Sequence, residues 1–494
     1  MSEINISNLT FAHEGSYDNI FENISLSIDT DWRLGLVGRN GRGKTTFLRL
    51  LTGSYEYRGK ISAIVDFQYF PFEITDEKLN SIELVRNIAG DYQEWQLLRE
   101  LFLLRVDEDV LHRPFATLSH GERTKLLLAA LFLRENSFLL IDEPTNHLDT
   151  EGRRILSDYL HSKKGFILVS HDRAFLDGCV DHIMSVNNEN IDIQRGNFSA
   201  WFYNKQLRDG FEEAQNEQLK KEAKKLETAA KRTASWSLDV EKSKYHTDNS
   251  GSKQDKGYVG HKSTKMMKRA KTIEDRRQNA VDEAKNLLKN IDKADPLKIV
   301  PLAFHSELLA EADNLEISYD GHIACSSVSF SLNRGDRIAV CGKNGSGKSS
   351  LLKLICGENI NHNGRLFIAK GLKISYVSQD TSSLRNIGNL SAYAEASGVD
   401  ETIFKSTLRK LGFSRLQFEK NIADFSGGQK KKVLLAKSLC EQAHIYVWDE
   451  PLNFIDLLSR MQIEELVLKF SPTLLFVEHD AAFVEAVATK VVRL

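Results

Sequence analysis

The sequence predicts an α/β protein in which two similar domains are joined by a long α-helical hairpin. At 494 residues the chain is too long for one hydrophobic core, since domains average about 150 residues. Short motifs recur in the same order in both halves: GRNGRGKT at 38–45 returns as GKNGSGKS at 342–349. Between the halves, proline is absent, and proline is the residue that most strongly interrupts helices. We therefore predict a first copy at residues 1–204, a helical linker at 205–295 and a second copy at 296–494.

Composition and charge exclude several classes of protein. No run approaches the roughly 18 apolar residues of a membrane helix, and the N-terminal MSEINISNLTF lacks the basic and apolar segments of a secretory signal. The five cysteines stand singly without a CxxC pair, which argues against a zinc site or a disulfide framework. The net charge of -2 is uninformative about partners. We expect a cytoplasmic protein that does not itself span a membrane.

Three further motifs are repeated with their order kept. LSHGE at 118–122 returns as FSGGQ at 425–429, FLLIDEP at 138–144 as IYVWDEP at 445–451, and ILVSHD at 167–172 as LFVEHD at 475–480. Ser119 and Asp142 are 23 residues apart, as are Ser426 and Asp449. This conservation of order and spacing within one chain indicates two homologous domains.

The GxxxxGK[ST] motif of each copy follows an apolar, strand-like run and precedes a helical one, which is the context of a phosphate-binding P-loop. Its glycines let backbone N–H groups converge on phosphates at a helix N-terminus, its lysine reaches the β and γ phosphates, and its hydroxyl residue binds magnesium. We therefore predict ATP and Mg²⁺ in each copy. The predicted nucleotide-binding residues are Gly38, Asn40, Gly41, Gly43, Lys44, Thr45 and Thr46, and Gly342, Asn344, Gly345, Gly347, Lys348, Ser349 and Ser350.

Adjacent carboxylates end an apolar strand in each copy. Asp142 and Asp449, at the strand ends, suit magnesium together with Thr45 and Ser349, whereas Glu143 and Glu450 are placed to orient or deprotonate the attacking water. A helix cap would explain one carboxylate but not the pair in both copies. A single histidine after a strand is usually structural, but in this frame His171 and His479 are the expected γ-phosphate sensors.

At LSHGE and FSGGQ the order of motifs resembles the ATP-binding-cassette (ABC) superfamily, and the resemblance extends over both copies. It implies two tandem ABC-type P-loop ATPase domains in which each signature motif touches the ATP held by the other domain, within one monomer. The residues expected to close on the opposite nucleotide are Ser119, Gly121 and Glu122 for Lys348, and Ser426, Gly427, Gly428 and Gln429 for Lys44.

The adenine contact departs from the usual pattern in one copy. An aromatic side chain upstream of the P-loop normally stacks on adenine, and Tyr319 fits this role in the second copy. The corresponding position in the first copy is His13, with Tyr17 nearby. We therefore expect the two adenine contacts to differ.

The magnesium-facing glutamine also differs between the copies. Gln379 in SYVSQD occupies this position in the second copy, and it is a further candidate for the metal. The matching position in DFQYFPF is Phe72. An amide is therefore missing in the first copy or is supplied by Gln68, and we expect the two copies to differ in hydrolysis.

The linker sequence predicts two antiparallel helices. Apolar residues recur at helical spacing at Leu219, Ala223, Leu226 and Ala230, and at Met266, Ile273, Val281, Leu288 and Ile291. Such helices would be roughly 45 to 60 Å long. The glycines at 251, 257 and 260 are expected to reverse the chain, which places the tip of the hairpin at about 243–262.

Positive charge is concentrated towards this tip. Between Lys231 and Arg277 there are 13 basic and 6 acidic residues, interleaved with aromatic ones. A solvated helix face would also carry such charge, but its concentration at one end favours contact with RNA phosphates and bases. The predicted RNA-binding residues are Lys242, Lys244, Lys253, Lys256, Tyr258, Lys262, Lys265, Lys268 and Arg269.

Two cassettes, a basic helical linker and the segments GRNGRGKTT, GFILVSHDRAFLD, GNFSAW and MMKR resemble the ABC-F family, in particular its antibiotic-resistance branch of Lsa and Vga type. The resemblance implies binding to the exit site of the bacterial ribosome. There the linker would reach 23S rRNA, the P-site tRNA and the peptidyl transferase centre. It also implies displacement of lincosamide, pleuromutilin or streptogramin A drugs, and release after ATP hydrolysis.

Three alternatives share the ATPase motifs. A housekeeping ABC-F translation factor would differ only in the tip of the linker and in a longer insertion within the first domain. The ATPase component of a membrane transporter would not need a basic hairpin. A DNA-repair or chromosome ATPase would carry zinc modules or far longer coiled coils between its domains.

Overall fold

The computed structural model describes residues 2–13, 19–72, 74, 76–146, 148–187, 190–242, 256–287, 297–319, 322–343, 345–384 and 387–494. The chain divides into two compact units. One comprises Met1–Ser199 with Ala294–Leu494, and therefore contains both copies, and the other is Ala200–Lys293.

The first copy combines an antiparallel sheet with a larger, mainly parallel sheet. Its strands are β1 (Glu3–Phe11), β2 (Phe21–Asp29), β3 (Arg33–Val37), β4 (Arg58–Ser62), β5 (Asp66–Phe70), β6 (Ser137–Asp142), β7 (Phe166–Val169), β8 (His182–Val186) and β9 (Ile191–Arg195). Its helices are α1 (Lys44–Leu51), α2 (Ser81–Ala89), α3 (Glu94–Leu103), α4 (His120–Leu133), α5 (Thr150–His161) and α6 (Arg173–Cys179). The strand orders are β2-β1-β4 and β5-β6-β7-β3-β8-β9.

The linker helices are α7 (Phe198–Lys242) and α8 (Lys256–Leu287). The second copy then repeats the architecture of the first. Its strands are β10 (Leu308–Tyr319), β11 (His322–Asn333), β12 (Arg337–Cys341), β13 (His362–Ile368), β14 (Ile374–Val377), β15 (Ile445–Asp449), β16 (Leu474–Val477) and β17 (Lys490–Arg493). Its helices are α9 (Lys348–Ile355), α10 (Leu390–Ala396), α11 (Glu401–Lys410), α12 (Gly427–Cys440), α13 (Leu457–Phe470) and α14 (Ala481–Val487). The strand orders are β11-β10-β13 and β14-β15-β16-β12-β17.

The central strands explain why the motifs meet. Every residue of β7, β15 and β16 is buried, as expected for parallel strands covered on both faces. The parallel orders β6-β7-β3 and β15-β16-β12 bring the carboxyl ends of three strands to one edge. In each copy the P-loop, the paired carboxylates and the histidine follow these ends, so the fold gathers three motifs that are far apart in sequence.

The linker helices contain 45 and 32 residues, and at 1.5 Å per residue they are roughly 68 and 48 Å long. The first exceeds the predicted length because it begins at Phe198, before residue 204. A hydrogen bond from Lys231, four residues further along α7, lowers the pKa of Glu227, and the charge of Arg277 on α8 acts in the same direction.

The second linker helix begins earlier than the predicted tip allows. Because α8 begins at Lys256, Gly257 and Gly260 lie in its first turns and do not reverse the chain. Each glycine lowers the stability of a helix by roughly 1 kcal/mol relative to alanine, and a helix as long as α8 tolerates this loss. Gly251 and the rest of 243–255 lie outside the described residues.

The predicted RNA-binding residues are unevenly described. Lys265, Lys268 and Arg269 are exposed on α8. Lys242 ends α7, and Lys256, Tyr258 and Lys262 belong to α8, but only the backbone of these four is described. Lys244 and Lys253 lie outside the described residues. Within the described part of the chain, no helix is long and apolar enough to cross a membrane.

Candidate nucleotide-binding sites

Each P-loop ends where a helix begins at the motif lysine. Gly347, immediately before α9, has φ 82°, and an added Cβ there would lie 2.6 Å from the carbonyl oxygen of Ala324, so this position requires glycine. Lys44 Nζ donates to the carbonyl of Gly38 at 2.7 Å, and Lys348 Nζ donates to that of Gly342 at 2.9 Å. Burial lowers the pKa of both lysines, although nearby carboxylates oppose this. The loops thus hold both ammonium groups at the start of their helices.

The first site is a cavity of about 430 Å³ that combines the P-loop of the first copy with the signature helix of the second. The predicted residues that line it are His13, Asn40, Gly41, Gly43, Lys44, Thr45, Thr46, Asp142, Glu143, His171, Ser426, Gly428 and Gln429. Gly427, expected here, lines the other cavity instead, because successive residues of α12 point about 100° apart around the helix.

The second site is a cavity of about 1130 Å³ with the reciprocal arrangement. The predicted residues that line it are Gly345, Gly347, Lys348, Ser349, Ser350, Gln379, Glu450, His479, Ser119, Gly121 and Glu122. The two copies also contact each other directly. Asn40 Nδ2 donates to the carbonyl of Phe454 at 3.1 Å, and Arg173 pairs with Glu464. Both sites are therefore shared between the two copies. Asn344 lies outside the described residues.

The carboxylates at the strand ends suit a divalent cation. Asp449 is 0% exposed, and burial raises its pKa, which a bound cation would reverse. Among the described residues the side chain of Ser349, its predicted partner in metal binding, acts in the opposite direction and lowers this pKa. In the first site Thr45 Oγ1 donates to Asp142 Oδ2 at 2.8 Å, which holds the two predicted metal ligands together. Thr45 with Asp142, and Ser349 with Asp449, would hold Mg²⁺, which neutralises charge on the phosphates of ATP when bound.

The two candidate catalytic glutamates lie beside the two predicted histidines. His171 Nε2 is 3.3 Å from Glu143 Oε1, and His479 Nε2 is 3.4 Å from Glu450 Oε1. Glu143 and Glu450 also share an unusual backbone, with φ of 53° and 47°. A left-handed conformation at a non-glycine residue is costly and often marks a functional position. The backbone conformation therefore also helps to orient both glutamate side chains.

The donors around the two glutamates are unequal. Gln379 Nε2 donates to Glu450 Oε2 at 2.9 Å, and the side chain of Asn453 donates to the same oxygen. Glu143 Oε1 makes no hydrogen bond within the described residues. Burial and the charge of Asp142 raise the pKa of Glu143 to about 8. Burial also opposes ionisation of Glu450, but its partners, led by His479, outweigh this and hold its pKa below the usual range.

Gln68 does not replace the missing amide in the first copy, and the neighbouring Tyr69 has a counterpart in the second copy, Tyr376. Gln68 does not supply that amide, because its Oε1 accepts a hydrogen bond from Arg134 at 3.4 Å on the opposite side of the strand from Tyr69. Tyr69 donates instead to Asp142 Oδ2 at 3.0 Å. Side chains alternate across a strand, so Tyr69 and Gln68 cannot both face Asp142.

The two adenine candidates also occupy different settings. His13 lines the first cavity and packs edge to face against Phe11, with ring centroids 5.1 Å apart. Tyr319 does not line the second cavity, although its hydroxyl lies 3.0 Å from Ser350 Oγ. Its ring is 45% exposed and therefore accessible beside the P-loop. Tyr17 lies outside the described residues.

Sequence reasoning missed part of the role of the signature motifs. Ser119 and Glu122 form a reciprocal capping box at the start of α4, and Ser426 and Gln429 form the same arrangement at the start of α12. The S-x-x-E/Q spacing could have revealed it. These side chains therefore fix the helix N-termini that face the cavities.

Replacing Gly428 with alanine is expected to lower the free energy of unfolding by about 1 to 3 kcal/mol, because its Cβ would lie 2.5 Å from the carbonyl oxygen of Phe454. Gly121 is the matched control, since its Cβ would meet only Leu148 Cδ2 at 3.3 Å. Gly121→Ala is expected to be neutral or slightly stabilising, as in other helices. Urea denaturation of both variants measures the difference. Equal effects would show that the contact with Phe454 does not matter.

Together, two P-loops closed by reciprocal signature helices define a P-loop ATPase with two composite ATP sites. The chain belongs to the ABC transporter family, whose model matches residues 21–146 and 325–453. The predicted fold and the predicted ATP hydrolase activity are thereby confirmed. Domains of this family bind ATP, typically with Mg²⁺.

Similar proteins match almost the whole chain. The ribosome protection protein VmlR of Bacillus subtilis (strain 168) is 26% identical over 96% of this chain and 84% of its own length. ATP-binding protein Uup of Buchnera aphidicola subsp. Acyrthosiphon pisum is 27% identical over 99% of this chain and 80% of its own length. Archaeal ribosome recycling factor aABCE1, solved with stalk protein aP1, aligns with a TM-score of 0.63 at 19% identity, covering 98% of this chain and 87% of that one. This structural match shows the shared fold.

Proposed function

We propose that this protein is an ABC-F-type ATPase that binds the bacterial ribosome in its ATP-bound form and protects it from antibiotics. The observation that carries the proposal is the combination of two composite ATP sites with a basic helical linker in one chain. Similarity to VmlR, a ribosome protection protein, supports it. The site of action would be the cytoplasm.

The charge of the linker supports RNA as the binding surface. Residues 231–277 carry a net charge of +7 in a chain whose total is -2. On α8, Lys265, Lys268 and Arg269 are exposed within one and a half turns, so they present a compact cationic surface. Such a surface suits a phosphate backbone, where each neutralised phosphate releases counterions. We assign it to 23S rRNA and the P-site tRNA at the exit site.

The proposed cycle follows from the shared sites. ATP contacts the P-loop of one copy and the signature helix of the other, so its binding holds the two copies together. In this state the linker would reach the peptidyl transferase centre and displace lincosamide, pleuromutilin or streptogramin A drugs. Hydrolysis, with Glu143 and Glu450 orienting or deprotonating water, weakens the contact between the copies and permits release.

Replacing both Glu143 and Glu450 with glutamine is expected to trap the protein on ribosomes in ATP, because binding persists while hydrolysis falls by about 100-fold or more. Co-sedimentation with ribosomes through sucrose measures the trapped fraction. Adding Lys44→Ala and Lys348→Ala should abolish trapping, since ATP no longer binds. Failure of the double glutamine variant to sediment with ribosomes in ATP would contradict the proposal.

A housekeeping role in translation is the second candidate. Uup, described only as an ATP-binding protein, is as similar to this chain as VmlR is. Growth of cells with and without the protein in the three drug classes discriminates the two. Unchanged susceptibility to all three, with ribosome trapping intact, would favour the housekeeping role.

A further inference from the structure

Lys431 is a buried lysine that links three parts of the second copy. It lies on α12, and the residue is 2% exposed. Its Nζ donates to the carbonyl of Ser378 at 2.8 Å and to the carbonyl of Asp449 at 2.9 Å. The carbonyl of Gln379 lies 3.5 Å away. The ammonium group therefore joins the signature helix to the segment after β14 and to the end of β15.

The charged surroundings explain why a lysine is tolerated there. Asp449, Glu450, Glu478 and Asp380 face the ammonium group and favour its charged form, whereas burial opposes it. Burying a lysine is costly unless its donors are satisfied, and here two strong hydrogen bonds to carbonyls satisfy them. Lys431 is therefore a buried lysine with defined hydrogen-bond acceptors.

The first copy shows that the fold does not require this lysine. The equivalent position on α4 is Thr124, which is uncharged and too short to reach as far. The nearby Glu478 of the second copy is likewise replaced by Ser170 in the first. The second copy therefore has a lysine and a glutamate at two positions where the first copy has hydroxyl residues. The same copy lacks the glutamine that contacts the candidate base, since Phe72 stands in its place.

We propose that Lys431 is a positioning residue for ATP hydrolysis at the second site. By fixing the carbonyls of Ser378 and Gln379 against the end of β15, it holds the Gln379 amide where it donates to Glu450. Lys431 lines the second cavity, but its Nζ donates to backbone carbonyls, so we infer that it acts through Gln379. The inference depends on Glu450 as the catalytic group of this site and not on the ribosome.

The position of Lys431 determines which kinetic constant should change. Without its two hydrogen bonds, the segment at 378–379 is no longer held to β15, and Glu450 loses a defined donor. Misplacing a catalytic group by about 1 Å can cost on the order of 100-fold in rate. The P-loop around Lys348 makes no hydrogen bond to Lys431 within the described residues, so we expect Lys431→Met to retain ATP binding. A fall in kcat with little change in KM is therefore expected.

The test uses a Glu143→Gln background, in which the second site carries the hydrolysis. Lys431→Met, which keeps the length but removes the charge, should lower kcat about 10- to 100-fold and leave KM within about 2-fold. Lys431→Gln, which retains a donor, should recover part of the loss. If Lys431 acts through Gln379, then Lys431→Met should add little to Gln379→Ala. Additive losses in this double-mutant cycle would overturn the proposal.

Two controls separate the failure of this inference from other failures. Lys437→Met removes a partly buried lysine of the same helix that pairs with Glu441 and contacts neither Gln379 nor Glu450 within the hydrogen bonds and ion pairs of the described residues, and it should leave kcat unchanged. Glu450→Gln in the same background should abolish hydrolysis. Residual activity there would overturn the assignment of Glu450 and the inference with it. Full activity of Lys431→Met, with Glu450→Gln inactive, would overturn the inference alone.

Discussion

Glu450→Gln is expected to reduce ATP turnover at pH 7 about 10-fold or more, whereas Glu143→Gln reduces it less than about 2-fold. With a pKa of about 8, Glu143 is only about one-tenth ionised at pH 7, so we expect the first site to contribute little hydrolysis. Glu450 is ionised at this pH because its pKa is held below the usual range. Steady-state phosphate release by the two single variants measures the difference.

Hydrolysis by the two variants should depend differently on pH. A general base must be deprotonated, so the hydrolysis that remains in Glu450→Gln should rise as pH increases through about 8, the pKa of Glu143. Hydrolysis in Glu143→Gln depends on Glu450, which is already ionised, and should be level between about pH 6 and 7. Lys44→Ala and Lys348→Ala, which remove ATP binding at one site each, should reproduce the two profiles. Superimposable profiles would show that the sites are equivalent.

The cause of this asymmetry is a small number of hydrogen bonds. Glu450 accepts from Gln379 and Asn453 and lies beside His479, whereas among the described residues Glu143 lies beside His171 and its Oε1 accepts no hydrogen bond. Hydrogen bonds to a carboxylate favour its charged form, while burial disfavours it. In the second site the donors prevail, and in the first site burial prevails.

Replacing Lys432 with methionine is expected to destabilise the second copy by about 3 to 5 kcal/mol, because it leaves Asp456 buried without its partner. Lys432 Nζ and Asp456 Oδ2 are 2.7 Å apart, and their side chains are only 6% and 1% exposed. The equivalent Lys125 of the first copy is partly exposed. Lys125→Met should therefore cost less than about 1 kcal/mol. The free energy of unfolding from urea denaturation measures both.

The stability that the pair of Lys432 and Asp456 contributes should depend on pH. Its partner lysine holds the pKa of Asp456 well below the usual range. The stabilisation is therefore present above about pH 4, the pKa of an unfolded aspartate, and is lost as the pH falls further. In Lys432→Met the buried Asp456 no longer has the lysine that lowers its pKa, so the loss should grow as the pH rises above about 4. Adding Asp456→Asn should recover part of it, since a neutral side chain no longer needs the lysine. A greater loss in the double variant would contradict this explanation.

The repeated motifs allowed much of the fold to be predicted. A P-loop, a paired carboxylate and a histidine each follow an apolar run, and this local pattern is sufficient to place them at strand ends. The linker helices could be predicted because helix formers and the absence of proline act within a few residues. The reversal between them was misjudged, since Gly257 and Gly260 are tolerated within α8.

The interactions between distant residues could not be predicted in the same way. Tyr69 rather than Gln68 faces Asp142 because of strand alternation, and Gly427 faces the second cavity because of the turn of α12. Neither is visible in a motif, since each depends on which side of an element faces its neighbour.

The sequence alone determined that two ATPase domains flank a helical linker and which residue types serve each site, because motif order and spacing are properties of the covalent chain. The sequence also predicted that the two sites differ, at Phe72 and Gln379, but only the tertiary structure decided how the surroundings of the two glutamates differ. The burial of Glu143, the donors around Glu450 and the reach of Lys431 arise from distances between residues that are remote in sequence. Electrostatic and hydrogen-bonding energies depend on those distances and on exclusion from water, which exist only after the chain has folded.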